Sequence, residues 1–289
     1  MSQRYPTGAS IPLPYHHLLL IDRRRCEAFR SAIDRAVQPG DVVVELGAGT
    51  GLLSYFAAQK ARRVYAVEVD PRIASLCTQF VEENGLSDRI EVVEASAFDY
   101  CPPEPVDAVI CEMLHVGLAN EPQISALNST RARMELLFPD HPYIVIPHLA
   151  VNYLQLLNAN YDFYGYQARF PRYVDTYGAD NSVQQLSSIE AFWTTDFDAT
   201  VDPNVDESVE LTATDNGTVN TVRLMTQVAT AFDKDKPSRE SLVDWYLMSL
   251  YLPLPAPVEV RKDQPARIHV SYEAGCPVEE IQVTSEPLS

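Results

Sequence analysis

The sequence predicts an α/β protein: a doubly wound parallel sheet, followed by a mostly antiparallel, barrel-like β domain. Three observations predict it. From Asp41 onward, short apolar runs alternate with stretches of helical composition, the pattern of parallel strands joined by crossover helices. Residues 42–51 read Val-Val-Val-Glu-Leu-Gly-Ala-Gly-Thr-Gly, a buried strand that runs into a glycine turn and on into a helix. Past Pro147 the alternation of strand and helix gives way to β-type segments divided by turns.

Taken in order, residues 1–14 are polar and rich in turn formers, as in an arm. Residues 15–37 are expected to form one helix, with Leu19, Ile21, Cys26, Phe29 and Ile33 near helical spacing, stopped by Pro39-Gly40. The next unit, 41–147, carries strands at 42–46, 64–68, 90–94, 106–111 and 143–147, and helices at 52–60, 71–84 and 120–137. The last unit, 148–289, carries β segments at 149–157, 209–214, 219–231, 246–252 and 267–272, with turns such as Asp215-Asn216-Gly217. Within it, 161–177 is crowded with aromatic and turn residues.

Composition narrows the function. No run among the 289 residues is long enough to cross a bilayer, and no signal segment opens the chain. Five cysteines, an odd number without C-x-x-C spacing, point to reduced thiols in the cytoplasm rather than to disulfides or zinc. The scattered histidines suggest no other metal site. A net charge of −18 should repel nucleic acid and attract cations such as guanidines, amines or basic peptides. An ordinary solubilising surface explains the charge equally well.

In a parallel sheet, ligands sit at the carboxyl ends of the strands. Gly47, Glu68, Ser96 with Ala97, and Glu112 all fall there. Gly47, Gly49 and Gly51 let a ligand approach the backbone closely, and Glu68 can accept both hydroxyls of a ribose. The spacing is G-x-G-x-G rather than the G-x-G-x-x-G of dinucleotide sites, and Glu45 just upstream disfavours a phosphate. The motif is similar to the first motif of class I S-adenosylmethionine (SAM) methyltransferases. Glu112 and Glu121 then bracket a mostly apolar loop. Such a pair suits a planar guanidinium, which carboxylates grip in bidentate fashion. A plainer reading makes one a helix cap and leaves the other exposed.

With these residues in view, the chain resembles the protein arginine methyltransferases. Asp22 and Arg25 match the family's Asp-x-x-Arg, residues 44–53 its glycine motif, Glu68 its ribose-binding acid, and Glu112 with Glu121 its double-glutamate loop. The resemblance implies a Rossmann-like SAM domain over 41–147 and a cofactor-covering helix within 1–40. It also implies a β-barrel over 148–289, with a short arm around 158–180 that could form a homodimer. Arg25 would hold the SAM carboxylate, with Asp22, Glu45, the three glycines, Glu68 and Ala97 completing the cofactor site. Glu112 and Glu121 would grip a cationic guanidino acceptor, in a peptide or as free arginine or a related metabolite.

The chain departs from the family in three places: no Tyr-Phe-x-x-Tyr pattern precedes His16, the arm is short, and the Thr-His-Trp loop is altered. Where the family has Thr-His-Trp, this sequence has Val243-Asp244-Trp245. Asp244 is either a third carboxylate near the acceptor or a turn residue, and Trp245 aligns on the family's Trp beside the acceptor. His115 either lines the acceptor channel or packs. Trp193 and the tyrosines of 161–177 either wall a cation site or belong to the arm and barrel core. Methylation of another small-molecule amine or hydroxyl, and a catalytically silent SAM-binding module, stand as alternative functions.

Overall fold

Strands without polar alternation must be covered on both faces, and five such strands organise the first half of the chain. The computed structural model describes residues 11–175, 183–230, 242–244 and 248–286. Strands β1 (Val42–Leu46), β2 (Arg63–Glu68), β3 (Ile90–Glu94), β4 (Ala108–Cys111) and β5 (Ile144–Ile146) form a parallel sheet in the order β3-β2-β1-β4-β5. Helices α1 (Leu13–Ile21) and α2 (Arg23–Ala36) precede it; α3 (Leu52–Ala57), α4 (Pro71–Glu83) and α5 (Gln123–Leu137) are interleaved with the strands. Strand order reverses at β1, so the crevice beyond the ends of β1 and β4 is the topological switch point.

The sequence expectation of one helix over 15–37 is corrected. The helix breaks at Asp22 (φ −72°, ψ 90°), whose carboxylate accepts the Arg25 backbone N–H at 3.1 Å and caps α2. A cap requires extended backbone, so the first helix cannot continue through it. The helix expected from Asn120 starts later, at Gln123, because Leu118 and Asn120 take left-handed φ values of 54° and 55°. Pro122 occupies the cap and no side chain bonds there, so neither glutamate of the pair is a helix cap.

The second half is antiparallel, as expected. It contains β6 (Leu149–Ala159), a hairpin of β7 (Asp162–Phe163) and β8 (Tyr166–Gln167), β9 (Arg172–Asp175), β10 (Val183–Gln185) and β11 (Glu190–Asp196). There follow β12 (Asn204–Thr212), β13 (Gly217–Ala229), β14 (Leu242–Asp244), β15 (Met248–Val260), β16 (Pro265–Glu273) and β17 (Gln282–Glu286). The larger sheet runs β10-β6-β13-β15-β9, with β11 also on β6 and β14 on β13; a smaller sheet runs β12-β16-β17. Leu154, Leu156, Leu224, Leu252 and Ile268 pack between them. Asp215-Asn216-Gly217 links β12 to β13, which lie in different sheets, so it is a crossing and not a hairpin.

Trp193 meets the Tyr272 ring edge-on at 6.4 Å and touches the cores of both halves. Tyr161 is buried under the Arg172 guanidinium, which lies 5.2 Å from its ring. Both therefore pack in the interior. The segment expected as an arm, 158–180, contains the β7–β8 hairpin, which exposes Phe163, Tyr164 and Tyr166; residues 176–182 of it lie outside the described residues. No helix among the described residues is long and apolar enough to cross a membrane.

Candidate active site

The turn after β1 brings three elements to one point. Gly47, Gly49 and Gly51 all take positive φ (70°, 55° and 81°). At Gly49 the reason is close packing: a Cβ there would stand 3.2 Å from the His16 ring on α1. Glu68, at the end of β2, accepts the Gly49 N–H at 2.8 Å and the Asp70 N–H at 2.9 Å. It thus fixes the turn while bordering the cleft, which Arg25, Gly47, Gly49, Asp70, Met113 and Glu121 also line.

Beneath this turn, Glu45 is buried in mid-strand and accepts a hydrogen bond from the Ser54 hydroxyl of α3. Burial pushes its carboxyl up to about 8, against the pull of that hydroxyl. Across the switch point, Glu112 follows β4 and forms an ion pair with Arg25 of α2, each side chain only 8% exposed. Arg25 also donates to the Leu19 carbonyl at 3.2 Å, which ties α2 back to α1. Burial raises the Glu112 carboxyl, and Arg25 opposes that rise. Glu121 closes the loop near them, and burial together with the Glu112 charge pushes it up to about 8. A cation placed between the two glutamates would pull Glu121 down again.

Of the residues singled out in the sequence, Arg25, Glu45, Gly47, Gly49, Glu68, Glu112 and Glu121 are brought to this one cleft. Asp22 serves as the α2 cap. Ala97, in the turn after β3, packs into the core of the first half, apart from the residues lining the cleft. His115 is buried and bonded to Tyr173. Asp244 ends β14, opposite Gln227 of β13, and β14 runs beside α2; the Asp244 side chain and Trp245 lie outside the described residues.

Sequence reading missed the residues that hold the two-glutamate loop. Gln123 accepts the Met113 N–H at 2.9 Å and donates to the Cys111 carbonyl at 2.8 Å, fixing the Glu112 backbone from both sides. The β domain braces the middle of the loop. Gly117 N–H donates to the Thr226 hydroxyl at 2.7 Å, and the Tyr272 hydroxyl donates to the Gly117 carbonyl at 2.6 Å. Gly275 N–H donates to the Leu118 carbonyl at 2.8 Å, and Asn120 N–H to the Cys276 carbonyl at 2.7 Å. No local pattern marks Thr226 or Tyr272, since each acts from over a hundred positions away.

Gly117 itself is required there. It sits at φ 71°, and a Cβ would lie 2.6 Å from Leu224 Cδ2. Gly117→Ala is expected to cost about 2–4 kcal/mol, from left-handed strain plus overpacking. Denaturant unfolding checks this; a loss below about 0.5 kcal/mol, within the range of neutral surface changes, would contradict it.

Comparison with known proteins agrees with this architecture. Residues 22–130 match the TRM5/TYW2 methyltransferase domain family. An uncharacterized protein of Methanocaldococcus jannaschii is 38% identical over 145 residues, covering 50% of this chain and 54% of that protein. A probable protein arginine N-methyltransferase 6 of Arabidopsis thaliana is 35% identical over 181 residues, 61% of this chain and 40% of its own length. This chain thus spans about half the length, or less, of the curated relatives it matches. The Trypanosoma brucei PRMT1 enzyme–prozyme complex with AdoHcy superimposes with a TM-score of 0.75 over 94% of this chain and 93% of that one, at 20% identity, which shows a shared fold.

The chain therefore shares the fold of a protein arginine methyltransferase, and residues 22–130 resemble a methyltransferase domain. In sequence it is similar to protein arginine methyltransferases over part of its length.

Proposed function

We propose that this chain methylates a guanidino nitrogen, either of arginine in a polypeptide or of free arginine or a related metabolite. The observation that carries the reading is the pair Glu112 and Glu121, two largely buried carboxylates at the switch point of the sheet. Burying two acids together is costly, and a guanidinium with several N–H donors is the ligand that repays it.

The residues around the turn fit SAM. Arg25 suits its carboxylate, and Glu68 retains lone pairs for ribose hydroxyls beyond the two amides it holds. When bound, SAM supplies an electrophilic methyl group. The chain's own part is positioning, which can contribute much of the acceleration. Glu112 meets Arg25 through Oε2, which holds its carboxylate at the edge of the cleft. Together Glu112 and Glu121 orient the guanidinium and draw its positive charge away from the attacking nitrogen. A guanidinium pKa above about 12 makes prior deprotonation by a carboxylate unfavourable, so the proton leaves during or after transfer, to Glu121 or to water.

The acid side of the pH profile follows from Glu121. Its folded carboxyl titrates near 8, while the acceptor stays cationic throughout, so kcat/KM should climb as pH rises through about 8. Glu45 titrates in the same range. Glu121→Gln separates them by removing the limb; persistence of the limb in that variant would assign it to Glu45.

The decisive assay follows S-adenosylhomocysteine release and acceptor mass with free arginine, arginine-rich peptides and non-guanidine amines. A mass gain of one methylene on a guanidino acceptor supports the reading. Turnover confined to non-guanidine acceptors favours the broader amine or hydroxyl reading, with the two-glutamate loop repurposed. Cofactor binding without any turnover favours a silent module.

A further inference from the structure

We propose that Tyr173 is a positioning residue for the acceptor glutamates: its hydroxyl, shared with His115 and Asn120, fixes the backbone that presents Glu121. The proposal rests on the acceptor role given above to Glu112 and Glu121.

His115 lies midway between the glutamates and is buried. Its Nδ1 stands 3.1 Å from the Val116 carbonyl, which can only accept, so Nδ1 carries the proton. Nε2 is then an acceptor, and the Tyr173 hydroxyl donates to it at 2.9 Å. The two rings meet edge-on, with centroids 5.5 Å apart. Burial pushes the imidazole down to about 4, so it stays neutral and keeps that acceptor at working pH.

Asn120 completes the triangle. Its Nδ2 donates to the Tyr173 oxygen at 3.1 Å and lies 3.2 Å from His115 Nε2. Its Oδ1 accepts the Val278 N–H at 3.2 Å, and its own N–H donates to Cys276. Asn120 directly precedes Glu121 and sits at φ 55°. Asparagine tolerates left-handed backbone, and the contacts around Asn120 restrain it there. Tyr173 supplies one of those restraints from β9, whose backbone is paired to β15 at Leu250. Without the hydroxyl, Asn120 can relax and turn Glu121 away from Glu112.

Tyr173→Phe keeps the ring and removes the hydroxyl. Loss of the shared hydrogen bonds is expected to lower kcat for a guanidino acceptor about tenfold, with SAM affinity within about twofold. Exchange of the 117–121 amides should quicken by about the same factor. The pH limb near 8 should also move down as water reaches Glu121. The charged groups facing Glu121 are Glu112 and Arg25, and the titratable groups around the Tyr173 hydroxyl are Glu279, Tyr15 and Glu121 itself; all remain in the variant. A merely structural role would lower the melting temperature without moving that limb.

Asn120→Gly tests the route, because glycine takes left-handed backbone freely and has no side chain to bond Tyr173 in either direction. It should show the same loss of kcat and the same faster exchange. Wild-type kcat, limb and exchange in Tyr173→Phe would overturn the proposal, as would an Asn120→Gly variant with wild-type kcat and exchange. Exchange needs no acceptor. If the wild-type protein methylates no guanidine, the function above fails while the exchange rates of 117–121 in Tyr173→Phe still decide the role of Tyr173.

Discussion

Glu112→Gln is expected to lower kcat on a guanidino acceptor by about 10³-fold, the scale seen when a preorganised electrostatic contact is removed from a desolvated site. The substitution preserves shape, so the loop and its Gln123 contacts stay in place. What disappears is the negative charge that draws the guanidinium charge off the attacking nitrogen. The neutral amide still offers Arg25 a carbonyl acceptor, so cofactor affinity should remain within a few-fold. Single-turnover S-adenosylhomocysteine release together with equilibrium SAM binding measures both quantities. Turnover within about tenfold of wild type would remove Glu112 from the proposed mechanism.

Arg25→Ala is expected to cost about 3–5 kcal/mol of stability at pH 8, the scale for leaving a buried partner charge uncompensated. Arg25 is the cation paired with Glu112, and it also lowers the carboxyls of Glu45 and Glu121. Without it, burial raises Glu112 further above its unfolded value. A carboxyl whose folded pKa is raised contributes stability that is fully present below the unfolded pKa, about 4.3, and is lost as pH rises through the folded pKa. The gap between variant and wild type should therefore be small near pH 5 and largest near pH 8. Urea unfolding at the two pH values tests this; a pH-independent gap would mean the loss comes from the Leu19 tie and packing rather than from charge.

The sequence by itself determined the parallel half and the chemistry gathered at its open end. Strand patterning, the glycine turn and the acid ending β2 are local signals, set by side-chain alternation and turn chemistry over a few residues. Glu112 and Glu121 were legible because a strand end in a parallel sheet has only one functional direction. Where the sequence reading failed, a nearby competing signal was overlooked: Asp22 as a cap within a helical stripe, and left-handed Leu118 and Asn120 ahead of α5.

Only the tertiary structure decided how the acids are held. Arg25 meets Glu112 across 87 positions, and Tyr272 braces Gly117 across 155. Asp215-Asn216-Gly217 gave a turn signal, yet which sheet each flanking strand joins is a matter of packing between layers. Such pairings depend on the burial that brings distant elements together, and that burial is a property of the whole packed chain. Local patterning therefore placed the acids at one cleft, while long-range packing set their partners, their protonation and the β-domain contacts that hold the loop between them.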